Sequence, residues 1–205
     1  MTDIINIKFV SRDSDIVESV KNKLGKHAGY KFSFSSVDIE NIDDMQYDVC
    51  VSTANSYGEI QGGIDMKYYM SLGGKKLQQY IYNVIMKNYA GEILVGESCL
   101  IDLNKVRELA DQDNDNTTDV LPRYLLLCPT MTLPGDVSNT RNAYYFTRAM
   151  IRGLKNMQRV GIKFKTVICP VPCVAVGMMD PIIAANQISI AFDAFDKKGL
   201  MTSSI

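Results

Sequence analysis

Tryptophan is absent from these 205 residues, and histidine occurs once, at His27. A lone imidazole in the polar stretch GKHAG, with no nucleophile in view, reads as a solvated surface residue rather than a catalytic base. Without tryptophan the chain fits poorly as a platform for stacked bases, although 11 Tyr and 7 Phe are present. Excess charge of one sign is also missing. The 22 Lys and Arg nearly cancel the 23 Asp and Glu, and a net charge of −1 supplies no field for gripping a polyanion. Nucleic acid is therefore not expected as the main partner. No run approaches the roughly 18 apolar residues of a membrane span, so no membrane partner is expected either. The start, MTDII, has neither the basic region nor the apolar core of a signal peptide. The five cysteines are an odd number without framework spacing, which points to free thiols in a reducing, cytoplasmic compartment. Cys169 and Cys173 flank Pro170-Val171-Pro172 with no further ligand nearby, whereas a closed zinc site needs four. Neither metal nor cofactor is expected.

What is present is the composition of one folded domain, 46% hydrophobic and 22% charged. Short β-rich runs alternate with longer helical patterns, which indicates an α/β architecture over residues 1–205. Strands are expected at 4–10, 30–36, 47–52, 97–103, 123–128 and 164–169. Helices are expected at 15–24, capped by Ser14, at 65–89 with a break at Gly73-Gly74, at 140–157, capped by Thr140, and at 180–195, opening with Pro181. Cys50, Cys128 and Cys169 fall in apolar strands and read as packing residues. Residues 111–119, DQDNDNTTD, mimic the start of a calcium loop, but Asn116 and Pro122 stand where the glycine and closing glutamate belong. They read as a solvated acidic loop.

The most informative segment is residues 48–65, DVCVSTANSYGEIQGGID. An apolar strand runs into small polar residues, then Gly62-Gly63, then a helix beginning near Asp65. Glycines at a strand-to-helix turn let backbone N–H groups approach a phosphate, and the helix N-terminus adds partial positive charge. Asn55 offers donors and acceptors for sugar hydroxyls, and Asp65 is a candidate general base. The same composition also suits an ordinary turn in which Asn55 caps the backbone and Asp65 caps the helix.

This segment resembles the first ligand loop of the macrodomain family, with Asn55 and Asp65 ten residues apart as in the family's Asn–Asp pair. Further matches follow in order: GEILVGESCLI at 91–101, LLLCPTM at 125–131, and residues 169–181 in place of the second, phosphate-cradling loop. TANSYG, GGID, PTM and TRNAY together are most similar to the macrodomain-like branch of phages, bacteria and large viruses. The resemblance covers about residues 30–197.

The resemblance implies a three-layer α/β/α fold with a mixed central sheet, and a cleft at the strand ends that takes ADP-ribose or an ADP-ribosylated protein. It places Asp38 and Ile39 at the adenine. Asn55 orients the distal ribose, and Asp65 polarises a water or ribose hydroxyl. Gly62, Gly63 and Ile64 border the sugar and its phosphate, and Val174, Ala175, Val176 and Gly177 form the second loop. Ser52 stands where the family's first Asn is usual. Only Gly177 of the second loop is free to take φ > 0, where the family carries several glycines. Met178 and Met179 read as filler beside that loop. No further strand, of the kind that often flanks adenine, is expected after the last helix. Three functions follow from the resemblance: hydrolysis of ADP-ribosyl linkages by Asp65 with Asn55, binding without catalysis, or an interaction scaffold with a degenerate pocket.

Overall fold

The computed structural model describes residues 4–36, 46–109 and 122–201. Asp38, Ile39 and the acidic segment 111–119 lie outside the described residues. The element order is β1 (Ile5–Ser11), α1 (Ser14–Lys23), β2 (Tyr30–Ser36), β3 (Val49–Ser52), α2 (Asp65–Ser71), α3 (Gly74–Tyr89), β4 (Cys99–Asp102), α4 (Leu103–Glu108), β5 (Tyr124–Leu127), α5 (Asn142–Arg159), β6 (Thr166–Pro170) and α6 (Pro181–Met201).

Six strands form one sheet in the order β2-β1-β6-β3-β5-β4. Every pairing is parallel except β4 with β5, so the sheet is mixed, as expected. The two-residue period of the strands builds two cores. Ile5, Ile7, Phe9, Val49, Val51, Val167 and Cys169 pack on one face with Val20 of α1, Phe146 and Leu154 of α5, and Ile188 and Phe192 of α6. Val10, Cys50, Ile168, Leu125 and Leu127 pack on the other with Tyr68 of α2, Leu77 and Ile81 of α3, and Val106 of α4. Central strands buried on both faces read as continuous apolar runs because each successive residue meets a helical layer. The result is the α/β/α sandwich.

Local chemistry explains where the structure departs from the expected elements. Asp13, not Ser14, caps α1, its carboxylate accepting from the Asp15 N–H at 2.8 Å. The fourth strand stops at Asp102, whose side chain accepts from the Asn104 N–H and turns Leu103–Glu108 into a helix. The Thr140 hydroxyl does accept from the first N–H of α5, at 3.2 Å. Gly73 and Gly74 take φ of +121° and +56°, and the helical region breaks there as anticipated. His27 is not solvated. Its side chain is 5% exposed, and its ring packs 5.9 Å from Phe32 and 5.4 Å from Phe192, with Nε2 4.0 Å from Asp193. The aromatic layer beneath β2 accepts an imidazole face that local polarity did not reveal.

Candidate functional site

Strands β1, β3, β5 and β6 end on the same edge of the sheet. The chain then turns to the α1, α5 and α6 layer after β1, β5 and β6, but to the α2 and α3 layer after β3. β3 and β6 are neighbours, so their departing chains part to opposite faces and open a crevice, the usual ligand position in such sheets. The crevice holds a cleft of about 620 Å³, within the small-molecule range. Residues that follow all four strands line it.

The first wall is residues 53–65. Thr130 Oγ1 donates to the Thr53 carbonyl at 3.1 Å, and the Ser56 N–H donates to the Met131 carbonyl at 3.0 Å, stitching this turn to the end of β5. Asn55 is 5% exposed and lines the cleft. Its Oδ1 accepts from the Tyr57 and Glu59 N–H groups, both at 3.1 Å, while Nδ2 donates to Glu59 Oε2 at 2.6 Å. Asn55 is thus a turn cap and a cleft residue at once. Gly58 has φ +72°, and a Cβ there would sit 2.4 Å from Ile85, so this glycine sets the turn against α3. Gln78 reaches out of α3 to clamp it: Nε2 donates to the Gly58 carbonyl at 2.8 Å, and Oε1 accepts from the Ile60 N–H at 3.2 Å. Gly62, Gly63 and Ile64 then line the cleft.

Asp65 opens α2 but makes no capping bond to it. Its Oδ2 accepts from Thr53 Oγ1 at 3.1 Å, and the buried Oδ1 has no hydrogen-bond partner among the described residues. Burial pushes its pKa up to about 6, opposed by the Ser52 and Thr53 hydroxyls beside it. A carboxyl poised near neutrality suits proton transfer. Deeper still, Tyr68 is fully buried, with the Cys50 thiol beside its hydroxyl.

The second wall is residues 170–177, and here the expected backbone is corrected. The left-handed residues are Cys173 at φ +68° and Met178 at φ +55°, whereas Gly177 keeps a negative-side conformation. Gly177 is needed for room: a Cβ would lie 2.6 Å from the Cys173 carbonyl and 2.7 Å from Val137. The Met179 N–H donates to that carbonyl at 2.9 Å, closing the turn. Met179 is buried filler, but Met178 is 68% exposed and does not line the cleft. Val174, Ala175, Val176 and Gly177 all do. No hydrogen bond among the described residues occupies their N–H groups, nor those of Gly62 and Gly63. Unoccupied N–H groups on facing loops form a concavity suited to an anion.

Cysteine chemistry is quiet here. All five thiols are free and buried, and burial pushes Cys173 up to about 12, leaving it protonated. Among the described residues no His, Cys, Asp or Glu cluster could hold a metal. No described helix is long and apolar enough to cross a membrane.

Several cleft residues escaped the sequence reading. Arg12, Asp13 and Ile16 enter from the end of β1, Thr130 and Pro134 from the end of β5, and Tyr82 from α3. Glu59 is exposed in the cleft beside Asn55. Tyr82 lines the same cleft, and partial burial, then the Glu59 charge, raise its hydroxyl's pKa. Glu59, inside residues 48–65, and Thr130, inside PTM, carried a signal along the chain; the others did not.

No protein-family model matches the chain, and no curated protein matches it by sequence. Solved structures do resemble it. The macrodomain of Mycobacterium tuberculosis DarG is 16% identical, with a TM-score of 0.54 over 80% of this chain and 91% of that one. An Oceanobacillus iheyensis macrodomain, solved with MES bound, is 14% identical, with a TM-score of 0.54 over 77% and 74% of the two chains. At these identities the likeness establishes the fold.

Proposed function

From a macrodomain fold with its cleft between β3 and β6, we propose that this protein binds ADP-ribose, free or attached to a protein. The observation that carries the reading is the meeting of two loops, 53–65 and 170–177, around one cleft of about 620 Å³ with unoccupied N–H groups on both sides. The diphosphate lies on the N–H groups of Val174–Gly177 and faces Gly62, Gly63 and Ile64. Adenine lies toward β1 and β2, and Asp38 and Ile39, which follow β2 along the chain, are the residues assigned to it, Asp38 to the exocyclic amine. The distal ribose lies at the β3–β5 end, oriented by Asn55.

Asp65 is the residue for chemistry. Its pKa of about 6 leaves it mostly ionised at pH 7, able to draw a proton from water or a ribose hydroxyl. Binding without turnover is the second reading, and one observation favours it. Val174 and Ala175, residues with side chains, line the loop assigned to the diphosphate, where a Cβ crowds close backbone approach; small displacements cost roughly 100-fold in rate while binding tolerates them better. Calorimetric titration of wild type and Asp65→Ala with ADP-ribose, paired with a turnover assay on a mono-ADP-ribosylated protein, separates the readings. Turnover lost with affinity retained supports the hydrolase, and binding without turnover leaves a reader. No binding at millimolar ligand leaves a scaffold.

A further inference from the structure

The distal end of the cleft carries a negative charge that an anionic ligand does not call for. ADP-ribose is itself anionic, yet Glu59 stands exposed in the cleft wall beside Asn55. Its Oε2 takes the Asn55 Nδ2–H at 2.6 Å, which fixes the carboxylate in place and leaves Oε1 with acceptor capacity. The Glu59 N–H is held by Asn55 Oδ1 as well, so main chain and side chain are both anchored. No ion pair among the described residues neutralises it. Lys67 shares the cleft but does not reach it. Tyr82 lines the same cleft. A fixed, unpaired carboxylate at a pocket rim is a cation receptor awaiting a partner.

This inference rests on the ADP-ribose reading above, which puts the distal ribose at Asn55 and therefore the attached group beyond it, at Glu59. We propose that Glu59 selects what the ribose is joined to, favouring ADP-ribose carried on a guanidinium (an arginine side chain) over ADP-ribose carried on a neutral hydroxyl or a carboxyl. A guanidinium linked through one nitrogen keeps its charge and N–H donors, and its planar fork matches a carboxylate. A carboxyl-derived attachment brings oxygen acceptors against Glu59, whose carboxylate cannot donate to them.

The test compares one peptide sequence ADP-ribosylated on arginine and on serine, with free ADP-ribose as reference, titrated into wild type, Glu59→Gln and Glu59→Asp. Wild type is expected to bind the arginine-linked peptide about tenfold more tightly than the serine-linked one, the scale of one charge-assisted hydrogen bond. Glu59→Gln keeps the acceptor for Asn55 and should collapse that ratio toward one, while Glu59→Asp should restore part of it. If wild type binds free ADP-ribose but binds the two peptides with equal affinity, this inference alone is overturned. A ratio that survives Glu59→Gln overturns it too. If wild type binds no form of ADP-ribose, the functional reading falls and this inference with it.

Discussion

Thr53 Oγ1 lies 3.1 Å from Oδ2 of Asp65, so the residue leaving β3 and the residue opening α2 share a hydrogen bond at the cleft. That donor, with the Ser52 hydroxyl beside it, holds the carboxylate in place, while Oδ1 is buried without a hydrogen-bond partner among the described residues. The site keeps an acid that the fold alone would prefer neutral.

Stability should show that tension directly. Asp65 titrates near 6 when folded, against an ordinary value of 3.8, so between those values the native state holds more protons than the unfolded one. Stability is greatest below the lower value, falls as pH rises through the window, and levels off above pH 6. Asp65→Asn removes the burden while keeping an acceptor for Thr53. Urea unfolding should find the variant more stable at pH 8 by up to about 3 kcal/mol, a two-unit shift at 1.36 kcal/mol per unit, and no gain near pH 3.5. Identical curves at pH 8 would contradict a burdened carboxylate.

Turnover, where a substrate is found, should follow the same ionisation. The value of kcat/KM should rise tenfold per pH unit well below 6 and level off above it, because the base works ionised. Asp65→Ala should abolish the rate and keep most ADP-ribose affinity. A flat profile from pH 5 to 8 would remove Asp65 as the base.

Two glycines of the cleft should behave differently. Gly177→Ala forces a methyl group against the Cys173 carbonyl and Val137, and should destabilise the fold by about 1–3 kcal/mol. A Cβ on Gly62 meets nothing within 4 Å, so Gly62→Ala should leave stability within about 0.5 kcal/mol. If ligand passes over this loop, Gly62→Ala should still weaken ADP-ribose binding. Thermal unfolding and titration of both variants check this.

Gln78 acts at a distance from any ligand. Gln78→Leu leaves the Gly58 carbonyl and Ile60 N–H buried without partners, which should cost about 2–4 kcal/mol. The loop bearing Asn55 and Glu59 should loosen, and faster amide exchange at Gly58 and Ile60 than at Ile81 would report it. Uniform exchange changes would mean a global effect instead.

Asp38 tests the adenine end. Asp38→Ala should weaken ADP-ribose binding by about 1–3 kcal/mol, the scale of a charged hydrogen bond. Equal affinities in calorimetry would remove it from the site.

Much of this protein was legible along the chain because its determinants are local. Alternating β-branched runs form strands wherever helices cover them, paired glycines break a helix anywhere, and the order of TANSYG, GGID and PTM survives without coordinates. Asn55, Gly62 and Asp65 could be named because they sit in one continuous turn. Contact between distant segments was not legible. Which residues of 170–177 take positive φ was decided by the bond between Met179 and Cys173 and by Val137 crowding Gly177, none of which spacing encodes. His27 looked polar by its neighbours but lies under Phe192, which is far away in the sequence. Glu59 became a site residue only when β3 and α3 brought it, Asn55 and Tyr82 to one cleft. Asp65 could be picked out as an acid from its motif. Its burial, and so its pKa, belongs to the packing of β3, α2 and the cleft around it, because desolvation depends on the whole surrounding volume.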